Sequence, residues 1–354
     1  MSRRRRRAAA VVAVVVMLGV AWVVRGALDG PGPKPPPGRP TLACASELHD
    51  VCVAIAADGD VVVVEEPANT TAARLGAMAD DKRDTESVDG WLTIDPQPGI
   101  VDDAHVRQQR DPVFGTPERL ARSPLVFVIW KDRLQVLAGD QACGSRARID
   151  WRCLGDLAET PWSAIGGPGD WGSVAVGHAD PAGDTVGVLA LGQEATSKLG
   201  RVDLARSDIE DDEFYDWFAD VERRVRPAGA GGPLALMLTR GPSEFGVAQV
   251  TEAEACTDLR GSSRRSALDV VVPEPVTTAD VVFAPRRGGK DIDALRDAVT
   301  GATARHALRS AGWRLGNARE RDQVCREAGS LALGASSKTP PPGVLVTLLG
   351  ERGQ

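Results

Sequence analysis

Residues Thr41–Val64 read TLACASELHDVCVAIAADGDVVVV, and this stretch decides the fold class. Thr41 to Ala45 is short and apolar, as a buried strand requires. Leu48, Cys52 and Ile55 then recur at helical spacing, and Ser46 is placed to cap their helix. Gly59 ends it. Val61 to Val64 is an unbroken apolar run of the kind expected in a parallel strand covered on both faces. A second helix carries Ala72, Leu75 and Met78, with Asn69 or Thr70 as its cap, and Trp91 to Ile94 makes a third strand. These are two consecutive βαβ units, so right-handed crossovers place both helix starts near the carboxyl edge of the sheet.

The pattern continues as α/β. Leu125 to Trp130 is another buried strand, Cys143 to Cys153 a loop or hairpin, and Trp171 to Val176 a strand. Asp184 or Thr185 opens a helix running to Leu199, and Ile209 to Val225 is strongly amphipathic, with Phe214, Trp217, Phe218 and Val221 on one face. Leu234 to Leu238 is helical. Phe245 to Val250, Val270 to Val272 and Val281 to Ala284 read as strands, and Ile292 to Val299 and Thr303 to Ser310 as helices.

Ahead of this body, Arg3 to Arg7 run into seventeen uncharged residues, Ala8 to Val24. At about 1.5 Å per residue, such a helix spans roughly 25 Å, near the short limit for a bilayer. The arginines should remain cytoplasmic. The expectation is a single-pass anchor in residues 1–28, with the main domain outside the cell; a cleaved secretory signal is the alternative. Residues 29–40, rich in Pro and Gly, form a stalk that holds the domain off the surface.

Up to Pro40 the chain has eight Lys and Arg against one acid, so of 42 basic and 49 acidic residues overall, 34 and 48 lie beyond it. A net charge near −14 in the outer part argues against a nucleic-acid partner. Six cysteines in an exported chain point to disulfides. Proximity suggests Cys44 with Cys52 and Cys143 with Cys153, leaving Cys256 with Cys325. No cysteine spacing suggests a zinc site, and His49, His105, His178 and His306 are scattered singly, so no metal and no cofactor is expected.

The order of these pieces resembles the type 2 periplasmic-binding, or extracellular solute-binding, proteins, whose small members bind oxyanions such as molybdate. Four segments carry the likeness: Leu42–Leu48 (LACASEL), similar to the first strand and ligand-loop serine; Asn69–Thr71 (NTT), opening the second helix; Thr239–Gln249 (TRGPSEFGVAQ), similar to the glycine-rich segment before the return strand; and Val281–Ala284 (VVFA) with helices ending at Ala311–Trp313 (AGW). The resemblance implies a two-lobed fold whose lobes close around a solute by hinge motion. Lobe one is then 41–123 with 269–334, lobe two is 124–268, and 335–354 is a tail with a short helix. Leu125 to Trp130 and Phe245 to Val250 lie at the crossings. The chain departs from the oxyanion binders where their paired serines become Ser46 followed by Glu47. It also resembles solute-binding modules joined to von Willebrand A domains in actinobacterial envelope proteins, although no Asp-x-Ser-x-Ser metal motif occurs.

Ser46, Glu47, Asn69, Thr70, Thr71 and Thr185 gather at expected helix starts, where hydroxyls and backbone amides can converge on a solute. Each hydroxyl can equally serve only its own helix. Trp91 and Trp171 are candidate apolar walls of the cleft. No Gly-x-Ser-x-Gly or Ser-x-x-Lys motif places a nucleophile beside a base. The expected function is therefore a membrane-anchored solute receptor for a transporter or an envelope sensor, rather than an enzyme. The alternatives are an envelope interaction protein that kept the fold without a ligand, and an extracellular hydrolase.

Overall fold

The structure, a computed structural model, describes residues 38–78, 88–229, 231–315 and 338–351. Among the described residues no helix is long and apolar enough to cross a membrane; the expected anchor and most of the stalk lie outside them.

β1 (Thr41–Ala45), β2 (Val62–Glu66) and β3 (Gly90–Asp95) pair in parallel, with β1 in the middle. α1 (His49–Asp58) links the first two strands, and α2 (Ala68–Ala77) lies between the second and third. Leu48, Val51, Cys52 and Ile55 turn inward, and Gly59 stops α1 at a positive φ of 79°, a conformation that suits glycine. β2 is an edge strand, so it is half-exposed rather than covered on both faces.

The expected caps differ. Ser46 starts a 3-10 turn, Ser46–Leu48, and α1 begins after Leu48. Pro67, with its φ fixed near the helical value, precedes α2, so neither Asn69 nor Thr70 caps it.

After α3 (Gln97–Arg107), β4 (Glu118–Trp130) runs through two halves of one sheet. Its segment Glu118 to Pro124 pairs antiparallel with β9 (Thr278–Pro285), and Leu125 to Ile129 pairs with β7 (Val247–Thr251). The sheet order is β2-β1-β3-β9-β4-β7-β5-β6, where β5 is Val176–Ala179 and β6 is Arg226–Ala228; β8 (Leu268–Val271) and β10 (Arg314–Leu315) also pair with β4. β7 is therefore internal to the second half. The chain crosses outward on β4 and returns between β8 and β9.

Helices flank both halves: α4 (Lys131–Gly139), α5 (Trp151–Leu157), α6 (Thr185–Leu199), the single turn α7 (Arg206–Ile209), α8 (Asp212–Arg224), α9 (Gly232–Arg240), α10 (Glu252–Arg260), α11 (Ile292–Thr300) and α12 (Ala302–Ser310). The expected strand at Trp171 is instead a 3-10 turn, Gly169–Trp171. Gly172 has a φ of 74° there, and Arg133 stacks 3.4 Å from the Trp171 ring, so the indole is held in place and the extended segment starts later, at Val176.

The last helix, α13 (Pro342–Glu351), packs on α6, α3 and α7. Its Val344, Leu345 and Leu348 join an apolar cluster that contains Leu92 and Phe283 of the sheet together with Leu189 of α6 and Phe218 of α8. Gly192 of α6 permits this approach, because a Cβ there would lie 2.6 Å from Pro340.

Cys44–Cys52 and Cys143–Cys153 are disulfides. Cys256 is also disulfide-bonded; its expected partner, Cys325, lies outside the described residues.

Candidate functional site

A cleft of about 840 Å³ opens between the two halves of the molecule. Ser46 to Val51, Pro67 and Ile94 form one side, and Asp184, Gly231, Gly232, Glu254, Thr257 and Asp258 the other. The starts of α1, α2, α6, α9 and α10 all border it, as parallel crossovers place them at one edge of a sheet.

Glu47 joins the two sides. One carboxylate oxygen accepts the Ala68 amide at the start of α2, at 3.2 Å. The other accepts the Thr185 hydroxyl at the start of α6, also at 3.2 Å. Both contacts place an acid against positive helix ends. Gln97 continues the chain, donating to the Thr185 hydroxyl at 3.1 Å and to the Asn69 side-chain oxygen. Asn69 in turn donates to the Pro181 carbonyl at 3.1 Å. Gly187 makes this seating close, because a Cβ would come within 2.4 Å of the Ala179 carbonyl.

The residues proposed from sequence thus occupy several places. Ser46 and Glu47 line the cleft. Asn69 borders a smaller neighbouring groove, and Thr185 is fully buried in the bridge just described. Thr70 is exposed on α2 and does not line the cleft. Thr71 is buried and donates to Glu66 at 2.6 Å, beside Arg74. Trp91 is packed against Phe114 in the core beneath α2, and Trp171 lies against Trp162 and Arg133.

Sequence reasoning missed the acids on the far side. Asp184 caps α6, accepting the Val186 amide at 2.6 Å; burial, and then the charge of Glu47, pushes its carboxyl up to about 6. Glu254 is pushed up to about 8, first by burial and then by Asp184 and Asp258. The available signal was Thr251-Glu-Ala-Glu254, a helix-start pattern directly after a strand. Thr251 does cap α10, through the Glu254 amide at 3.0 Å. Gln97 is flanked by Pro96 and Pro98, which mask the start of α3 in the sequence.

Away from the cleft, His178 lies 3.1 Å from Glu222 and 3.9 Å from Glu194. Among the described residues this is the group of three whose ligand-type atoms lie within 4.8 Å of one another.

A family model for bacterial extracellular solute-binding proteins matches residues 41–314. The chain belongs to this family. Solved structures agree on the fold. Apo ferric ion-binding protein A of Pasteurella haemolytica superposes with a TM-score of 0.58 at 11% identity, covering 89% of this chain and 96% of its own. An ABC transporter structure from Clostridium perfringens gives 0.57 at 11% identity, with 89% and 98% covered. A periplasmic thiamin binding protein gives 0.55 at 11%, with 92% and 98% covered. No curated protein matches by sequence. The fold is the two-lobed periplasmic-binding fold, and its relatives are binding proteins rather than enzymes.

Proposed function

We propose that this solute-binding protein is tethered to the outer face of the cell membrane by residues 8–24, captures its solute in the cleft beside Ser46, Glu47, Asp184 and Glu254, and delivers it to an ABC-type importer. The observation that carries the reading is Glu47, whose carboxylate reaches a helix start on each side of the cleft. A residue shared in this way can sense whether the lobes are apart or together. The proposed lobes are 41–123 with 269–334, and 124–268, with the hinge on β4 and the segment joining β8 to β9. The tether and the Pro/Gly-rich stalk would keep the cleft within reach of a transporter.

A second reading, an envelope interaction protein that binds no solute, draws on α13. This helix packs on elements of both lobes and would resist their separation.

Thermal melting of the full-length chain in detergent separates the two. A solute at 100 times its dissociation constant adds about 2.7 kcal/mol, a rise of several degrees. The receptor reading expects such a rise with at least one compound from a panel of amines, amino acids, sugars, oxyanions and metal ions, and a smaller rise in Glu47→Gln. A flat response across the panel refutes it in favour of the second reading.

A further inference from the structure

We infer that the solute is an organic cation, held through ammonium or guanidinium groups by the carboxylates of Glu47, Asp184, Glu254 and Asp258, with its apolar body against Ile94 and Trp313. The inference rests on the cleft being the solute site.

The charge of the walls is one-sided. Glu47, Asp50, Asp184, Glu254 and Asp258 line the cleft, and no Lys or Arg does so among the described residues. His49, the one other titratable lining residue, is exposed and turned to Glu65 at 2.9 Å. Helix starts ordinarily invite anions, but three of the five here already have an amide taken by a side chain. Glu47 takes the first amide of α2, Asp184 takes that of Val186 in α6, and the Thr251 hydroxyl takes that of Glu254 in α10.

The acids also oppose one another. Burial raises both Glu254 and Asp184 first; Asp184 and Asp258 then add to the rise of Glu254, and Glu47 and, more weakly, Asp180 to that of Asp184. A guest with positive groups offsets that repulsion and displaces protons held on the raised carboxyls.

Size and spacing favour an organic cation over a bare metal ion. Oxygen ligands lie about 2.0–2.6 Å from a hard divalent ion, so they must crowd together. Among the described residues the group of three ligand-type atoms within 4.8 Å is His178, Glu194 and Glu222, outside the cleft. A space of about 840 Å³ that contains Leu48, Val51, Ile94, Val186 and Trp313 suits a molecule with a carbon body.

The test is titration calorimetry on the full-length chain in detergent at 150 mM salt. The probes are spermidine, choline and arginine, against Mn²⁺ and ferric citrate, and against molybdate and phosphate. The inference expects saturable binding of at least one organic cation. That binding should release protons at pH 7, as read in two buffers of different ionisation enthalpy. Affinity should fall at least tenfold from pH 8 to pH 6. Glu254→Gln should weaken it at least tenfold, and Thr70→Ala should leave it unchanged. Binding of metal ions alone, or of an oxyanion, overturns the cation class and leaves the receptor reading standing. Organic-cation binding that survives both Glu254→Gln and Asp258→Asn overturns the placement. No binding by any probe overturns the organic-cation class, and the receptor reading falls with it only if the wider melting panel is flat as well.

Discussion

Replacing Glu254 by glutamine should stabilise the protein above pH 8 and change it little near pH 5. The substitution keeps the size of the side chain and leaves the Thr251 cap on the residue 254 amide intact. Burial first, and then Asp184 and Asp258, lift the Glu254 carboxyl from 4.5 to about 8. The folded protein therefore holds this proton more tightly than the unfolded chain does. Stability is fully present below about 4.5 and declines as pH rises through about 8, where the charge must form inside the cleft. The full displacement corresponds to at most about 5 kcal/mol, and water entering an open cleft reduces it to about 2–3 kcal/mol. Urea denaturation of both proteins at pH 5, 7 and 9 reads the difference. Asp95, also raised to about 6 by burial and then Asp280, titrates in both and cancels. Wild type should lose about 2–3 kcal/mol relative to Glu254→Gln between pH 5 and pH 9. Parallel curves for the two proteins would refute the argument that Glu254 is forced to bear an uncompensated charge in the cleft.

Other consequences follow from the same contacts. Opening Cys44–Cys52, which closes a short loop with a sequence separation of 8, should cost about 2–3 kcal/mol, measured by denaturation of Cys44→Ala/Cys52→Ala against wild type. Thr185→Val should cost about 1–3 kcal/mol, because it leaves Glu47 and Gln97 without the hydroxyl between them. Thr70→Val, on the exposed face of α2, should stay within about 0.5 kcal/mol of wild type in the same assay. Leu345→Ala, on the buried face of α13, should cost about 2–4 kcal/mol; a neutral result would show that α13 is not docked on α6.

What could be read from the sequence was local. The strand, helix and strand of Thr41–Val64 declare themselves through apolar spacing and Gly59, and Asp184 precedes its helix as a capping acid should. The first two disulfides join cysteines only 8 and 10 residues apart. The site was harder to read because it is made of distant pairs. Glu47 meets Thr185 across 138 positions, and nothing in either segment announces the other. Asp184 and Glu254 look like ordinary first-turn acids, and only the fold turns them toward each other. Trp91 shows the converse. Its size and apolar character suit a cleft wall and a core equally, and packing against Phe114 decided for the core. The same holds for Asn69, whose helix is begun by Pro67, leaving its side chain free to reach Pro181.

The central claim is that two lobes close on a solute held beside Glu47 and Glu254. Its most direct test is the distance between spin labels at Val53→Cys on α1 and Arg240→Cys on α9, two exposed positions on opposite lobes. The measurement uses full-length chain with and without a compound that raises its melting temperature. The account predicts a shorter and narrower distance distribution with the compound present, and loss of that response in Glu254→Gln. An identical distribution in both conditions, with the compound bound, would contradict it.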